Sequence, residues 1–188
     1  MGNAPTRQGP DNIEELERIC NFSRDEIQVL YDNFNRMSDG RSTVTKRDFI
    51  KGYRKTFDGG DARKFAENVF RTFDTDGNEK LDFREFLVGL SCKSATDLQT
   101  KIEWSFRVYD RNGDGFISRQ EMSSVLHSII RMYGIECNIP EAVAKMTRDL
   151  YQSVDSDQDK SISFDEFKTA VEQNSVLLDL LQTKQTSR

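Results

Sequence analysis

Three twelve-residue segments of this chain, Asp74–Glu85 (DTDGNEKLDFRE), Asp110–Glu121 (DRNGDGFISRQE) and Asp155–Glu166 (DSDQDKSISFDE), share one pattern. Each opens with Asp, has Asp or Asn at its third and fifth positions, an aliphatic at the eighth and Glu at the twelfth. Carboxylates this dense repel one another unless a cation lies between them, so the pattern constrains local fold and chemistry together. The segments start 36 and then 45 residues apart, the spacing of a tandem array. One more interval toward the N-terminus lies Met37–Asp48 (MSDGRSTVTKRD), which keeps Val44 at the aliphatic position but has lost the acidic ligands.

Helical periodicity surrounds every segment. Phe65, Val69, Phe70 and Phe73 lead into the second, and Phe86, Leu87 and Leu90 leave it. Ile102, Phe106 and Tyr109 lead into the third; Met122, Val125, Leu126 and Ile129 follow it. Val143, Met146, Leu150 and Val154 precede the fourth, with Phe167 and Val171 beyond. Ser23-x-x-Glu26 reads as a capping box that opens the first entering helix, on which Ile27, Leu30 and Phe34 form the apolar stripe. Helix, loop with the D-x-[DN]-x-[DN]-G-x₅-E pattern, helix is the EF-hand. The expected fold is therefore all-α, with four EF-hands in two pairs and the first hand degenerate. An arm with a short helix occupies residues 1–22, the two pairs fall at 23–92 and 97–171, and a helix or tail covers 172–188. A linker within the second pair is expected at Gly134–Pro140.

Calcium, a hard cation, takes six to eight oxygens, and these loops supply carboxylates and one backbone carbonyl each, with an amide in the second and third. In the third loop the ligands are Asp110, Asn112, Asp114, the Phe116 carbonyl, Ser118 directly or through water, and bidentate Glu121. Gly115 stands at the sixth position, where the chain must turn with positive φ. The second loop offers Asp74, Asp76, Asn78, the Lys80 carbonyl, Asp82 and Glu85; the fourth offers Asp155, Asp157, Asp159, the Ser161 carbonyl and Glu166. Both depart at the sixth position, which is Glu79 in one and Lys160 in the other. A side chain at positive φ costs roughly 1 kcal/mol, about fivefold in affinity, and leaves the ligand set intact. Three calcium ions per chain are expected, with the third site tightest and magnesium competing when calcium is low. The first loop has Met37 and Arg41 at ligand positions and the short Asp48 at the twelfth, so it is structural.

The remaining composition narrows the function. Thirteen Phe, five Tyr and one Trp give too much aromatic surface for a disordered acidic chain, and a net charge of −5 does not invite nucleic acid. Cys20, Cys92 and Cys137 match neither a zinc spacing nor a disulfide framework, which points to a reducing compartment. No apolar run reaches the roughly 18 residues of a membrane span, and no secretory segment follows the start. There is no G-x-S-x-G, no Walker loop and no Cys–His pair, and His127 sits among helical apolar residues, so no catalysis is expected. The chain opens Met1-Gly2-Asn3-Ala4-Pro5-Thr6, which fits the N-myristoylation pattern M-G-x-x-x-[ST] and marks Gly2 as the acylated residue.

Gly60–Phe73 (GDARKFAENVFRTF) running into the second loop, Phe83-Arg84-Glu85-Phe86, Tyr109-Asp110 and the aliphatic Val176–Leu181 segment resemble the neuronal calcium sensor family. The resemblance covers nearly the whole chain. It implies a first hand that does not bind, calcium in the second and third hands, a variable fourth, and a myristoylated Gly2. The family usually carries Cys-Pro in its first loop; Met37-Ser38-Asp39-Gly40 stands here, the mark of a divergent member. The expected function is a cytoplasmic calcium sensor, reversibly membrane-associated through the myristoyl group, that exposes a groove for an amphipathic helix of a target protein. The alternatives are a cytosolic calcium buffer and a calcium-binding regulatory subunit of an enzyme such as a phosphatase or guanylate cyclase.

Overall fold

The computed structural model describes residues 12–55 and 60–173; the acylation signal at Gly2 and the expected tail beyond Gln173 lie outside them. The described residues form α1 (Ile13–Ile19), α2 (Arg24–Ser38), β1 (Val44–Thr45), α3 (Lys46–Arg54), α4 (Arg63–Phe73), β2 (Lys80–Leu81), α5 (Phe83–Ser94), α6 (Leu98–Tyr109), β3 (Phe116–Ser118), α7 (Arg119–Met132), α8 (Ile139–Val154), β4 (Ser161–Ser163) and α9 (Phe164–Gln173). The fold is all-α, since each strand is only the short turn-side of a loop. The capping box at Ser23 is formed: its side chain accepts from the Glu26 backbone while Glu26 reaches back to the Ser23 N–H.

The eighth loop positions tie the hands into pairs. Val44 of β1 lies opposite Leu81 of β2, and Ile117 of β3 opposite Ile162 of β4, in antiparallel register. All four side chains are buried, so each ribbon is pinned from below by the core as well as by its hydrogen bonds. Aromatic rings fill the space beneath. Phe49 of α3 meets Phe70 and Phe73 of α4 at 5.6 Å between centroids, and Phe106 of α6 meets Phe164 and Phe167 of α9 at 5.3 and 5.5 Å, mostly edge-on.

The two halves share one core. A continuous apolar cluster runs from Phe34 through Phe73 and Ile102 to Val171, crossing the three-residue connection between α5 and α6. Two arginines close the junction. Arg71, near the end of α4, donates to the carbonyls of Arg107 (2.8 Å), Val108 (3.2 Å) and Asp110 (3.0 Å); Arg107 donates in return to the Thr72 carbonyl at 3.3 Å. Each guanidinium thus caps the C-terminal carbonyls of the helix entering the other half's loop, groups a helix leaves unsatisfied. A smaller cluster sets α1 in place: Leu16 and Cys20 pack with Ile27 of α2 and Leu87 of α5.

Trp104, which falls off the Ile102–Phe106–Tyr109 stripe in the sequence, is only 6% exposed. With the neighbouring half packed on α6, the helix buries a second face that an isolated hand would leave wet.

Gly89 on α5 allows the close packing of hand two. A Cβ there would stand 2.4 to 2.5 Å from carbons of the Phe73 ring, one residue before the loop begins. Gly89→Ala should lower stability by about 2 kcal/mol, as overpacking does, seen as a lower urea midpoint at unchanged slope. An unchanged midpoint would mean that α4 and α5 do not approach this closely.

Candidate metal centres

The N-cap of every exiting helix is the ninth residue of its loop, and the third helical residue is the twelfth. Asp82 with Glu85, Ser118 with Glu121, and Ser163 with Glu166 are therefore capping pairs as well as loop residues. The glutamate's second oxygen accepts from the ninth residue's N–H at 3.2, 2.9 and 2.9 Å in loops two, three and four. Its first oxygen reaches across the loop to the second residue's N–H: Thr75 at 3.0 Å, Arg111 at 2.9 Å and Ser156 at 2.8 Å. One carboxylate thereby spans loop entrance and loop exit.

The first-position aspartates anchor the turn. Asp110 accepts from Gly113 (2.8 Å) and Gly115 (3.0 Å), Asp74 from Asn78 (3.1 Å) and Glu79 (3.0 Å), and Asp155 from Lys160 (3.2 Å). The fifth-position side chains accept from the seventh residue's N–H: Asn78 from Lys80, Asp114 from Phe116, Asp159 from Ser161. Those bonds turn the seventh residues' backbone toward the loop, as a carbonyl ligand requires.

The structure draws Asp74, Asp76 and Glu85 together with carboxylate oxygens within 4.8 Å of one another, and likewise Asp155, Asp157 and Asp159. Asp82 stands apart from the first set, its Oδ1 accepting from the Glu85 N–H at 2.8 Å. Glu166 stands apart from the second, turned toward Ser156 and Ser163. In the third loop the amide of Asn112 takes the middle place and donates to Asp114 at 2.7 Å. The Oδ1 of Asp155 is buried without a hydrogen-bond partner. Oxygen-only donor sets with an orphaned buried carboxylate oxygen fit a hard divalent cation.

The carboxylates' ionisation follows these contacts. Burial raises Glu166, but bonds from the Ser163 and Ser156 backbones and hydroxyls outweigh it and bring it from 4.5 down to about 2. Glu121 is lowered for the same balance of reasons, with Ser118, Arg111 and Asn112 as donors. Because Glu166's folded value is depressed, its contribution is present above 4.5 and fades as pH falls toward 2. Asp74 is pushed up, first by burial and further by the Glu85 charge, despite the Glu79 and Asn78 N–H groups.

Three features escaped the sequence pattern. Ser163, at the ninth position of loop four, has the same capping role as Ser118; the Ser-x-x-Glu spacing was its signal. Gln158, at the fourth position, has φ 62°, where the other two loops have Gly77 and Gly113. With Glu79 at φ 61° and Lys160 at φ 77°, loop two bears one strained side chain, loop four bears two, and loop three none. Finally, the first loop carries its own cation. The Arg41 guanidinium meets Asp48 at 2.5 Å and the Ser38 carbonyl at 2.7 Å, closing the turn. The Thr45 hydroxyl, then Arg41, hold Asp48 below the usual carboxylate range.

Comparison with known proteins agrees with this geometry. Residues 99–172 match the EF-hand domain pair family. The chain is 29% identical over 191 residues to S-modulin of Aquarana catesbeiana, covering 97% of this chain and 93% of that protein.

Glu121→Gln should abolish calcium binding at the third loop, because an amide cannot supply the bidentate carboxylate, while the other loops still titrate in calorimetry. Retained affinity would place Glu121 outside the coordination sphere. Relief of strain should raise affinity at the fourth loop: Lys160→Gly by about fivefold, and Gln158→Gly with it by about fivefold more. No gain in either would mean that the ion is held in a different turn.

Proposed function

We propose that the chain is a divergent member of the neuronal calcium sensor family, and that it is a calcium sensor whose second hand controls the N-terminal arm, and with it a myristoyl group on Gly2. One observation carries this reading. The α1 helix rests on α5, the helix whose third residue is the loop-two ligand Glu85: Leu16 and Cys20 pack on Leu87, and Arg84 meets Glu15 at 2.6 Å. A carboxylate drawn inward by calcium pulls the start of its helix, and in sensor hands the helices splay by tens of degrees. Movement of α5 would therefore loosen α1 and the residues before it.

The same movement would open a place for a target. Tyr31, Phe34 and Phe83 line a cavity of about 310 Å³ together with Leu16 of α1. Withdrawing α1 leaves this aromatic floor for an amphipathic helix of a target protein or for the acyl chain. Three bound calcium ions would also shift the net charge from −5 to about +1, removing repulsion from an anionic membrane. The described helices include none long and apolar enough to cross a membrane. In this reading the protein is a non-enzymatic regulator of the cytoplasm and its membrane surface.

Sedimentation with liposomes tests it. Acylated wild type should pellet only with calcium, whereas Gly2→Ala and a triple variant with Glu85, Glu121 and Glu166 changed to Gln should stay in solution. A single myristoyl chain binds only at about 10⁴ M⁻¹, so sheltering it suffices to release the protein. Constitutive pelleting of wild type would rule out the switch. Trp104 emission that stays flat while calcium binds would identify a buffer instead, since a buffer hand barely opens.

A further inference from the structure

A cleft of about 1040 Å³ in the N-terminal half lies outside the metal loops' ligand sets and is lined by Lys46, Arg47, Lys51, Arg54, Lys55 and Arg63. Its origin is the pattern of α3. Phe49 and Tyr53 turn into the core, so the exposed face carries the cations, with half-buried Ile50 as the apolar floor.

A solvated charged face is ordinary, but an uncompensated one is not. Arg47 and Lys51, and Lys51 and Lys55, are like charges four residues apart, a spacing that weakens a helix. Among the described residues no carboxylate pairs with Lys46, Arg47, Lys51, Arg54 or Lys55. Among the described residues the one acid lining the cleft, Glu67, is engaged by Arg63 at 3.4 Å and Lys64 at 3.6 Å. Residues 41–67 contain eight cations and four carboxylates, a net +4, in a chain whose total is −5, so the rest of the molecule carries −9. Positive charge is concentrated here against the trend of the whole chain, and it is concave.

We propose that this cleft binds the multiply phosphorylated headgroup of an anionic lipid. Six cations converging from α3, its C-terminal end and α4 match a group carrying several negative charges in a small volume, and the arginine forks suit phosphate oxygens. A surface of singly charged lipids needs only a flat scatter of cations. The proposal deepens the membrane-docking reading and rests on it for the choice of a lipid over a free phosphate: one acyl chain needs a second contact for stable anchoring, and each cation near an anionic surface adds about fivefold.

The test uses the full-length chain without its acyl group, as Gly2→Ala, so that headgroup binding is read apart from the myristoyl switch. Vesicles of phosphatidylcholine with phosphatidylinositol bisphosphate are compared with vesicles holding a charge-matched proportion of phosphatidylserine. Binding should favour the bisphosphate vesicles by tenfold or more (roughly two cations' worth at about fivefold each). The Lys51→Glu, Arg54→Glu pair should lose on the order of a hundredfold. A like reversal at exposed Lys145 and Arg148 of α8 should lose far less, and calcium titration of both variants confirms that they fold. Equal binding to the two vesicles, or equal loss in both variants, would overturn the site in favour of unspecific charge. Tight binding of soluble inositol trisphosphate with none to vesicles would assign the cleft to a free phosphate, and preference for an acidic peptide would assign it to a protein. Failure here beside intact calcium-dependent pelleting of the acylated chain would leave the switch standing.

Discussion

In each acidic loop a single glutamate accepts hydrogen bonds from the loop's second residue and from the residue that caps the exiting helix. Those two backbone sites lie at opposite ends of the loop, so the carboxylate sets where the exiting helix starts relative to the entering one. An arriving calcium ion competes for the same oxygens with two positive charges. The interaction that holds the hand together is thus the one a bound ion would have to rearrange, which would couple binding to helix position without a separate lever, as the proposed sensor requires.

The degenerate first hand shows the same requirement met without a metal. Arg41 bonds to Asp48 and to the Ser38 carbonyl, linking loop exit to loop entrance as an ion would. A covalently attached cation neither leaves nor varies with calcium, so in the proposed switch hand one would serve as a fixed wall against which hand two moves. The shared core and the Arg71–Arg107 exchange extend this across the molecule. Arg71 donates to the carbonyl of Asp110, itself the first residue of loop three, so α4, which leads into loop two, is joined directly to the next site.

Much of this was legible in the sequence because the chemistry repeats at fixed offsets. The stripes at Phe65–Phe73 and Met122–Ile129 mark buried faces, the Ser23 capping box is formed, and positive φ at Glu79 and Lys160 follows from the missing glycines. What the pattern could not carry was non-local. Trp104 is buried on a helix against which α4 and α5 of the other half pack, and periodicity within one helix holds no information on that. The strain at Gln158 was hidden because the consensus leaves the fourth position free. Arg41 read only as a lost ligand, since a motif records which residues bind metal and not which ones replace it. The basic cleft was equally hidden: the eight cations near α3 disappear into an acidic total.

The central claim is that calcium at the second loop moves α5 and thereby releases α1. Amide hydrogen exchange of Leu16 to Cys20, read as calcium is titrated, addresses it at the joint itself, where the Cys20 N–H bonds to the Leu16 carbonyl at 3.1 Å. Protection there should fall as the second loop fills in wild type and stay constant in Glu85→Gln. Constant protection in wild type with the second loop saturated would contradict the account.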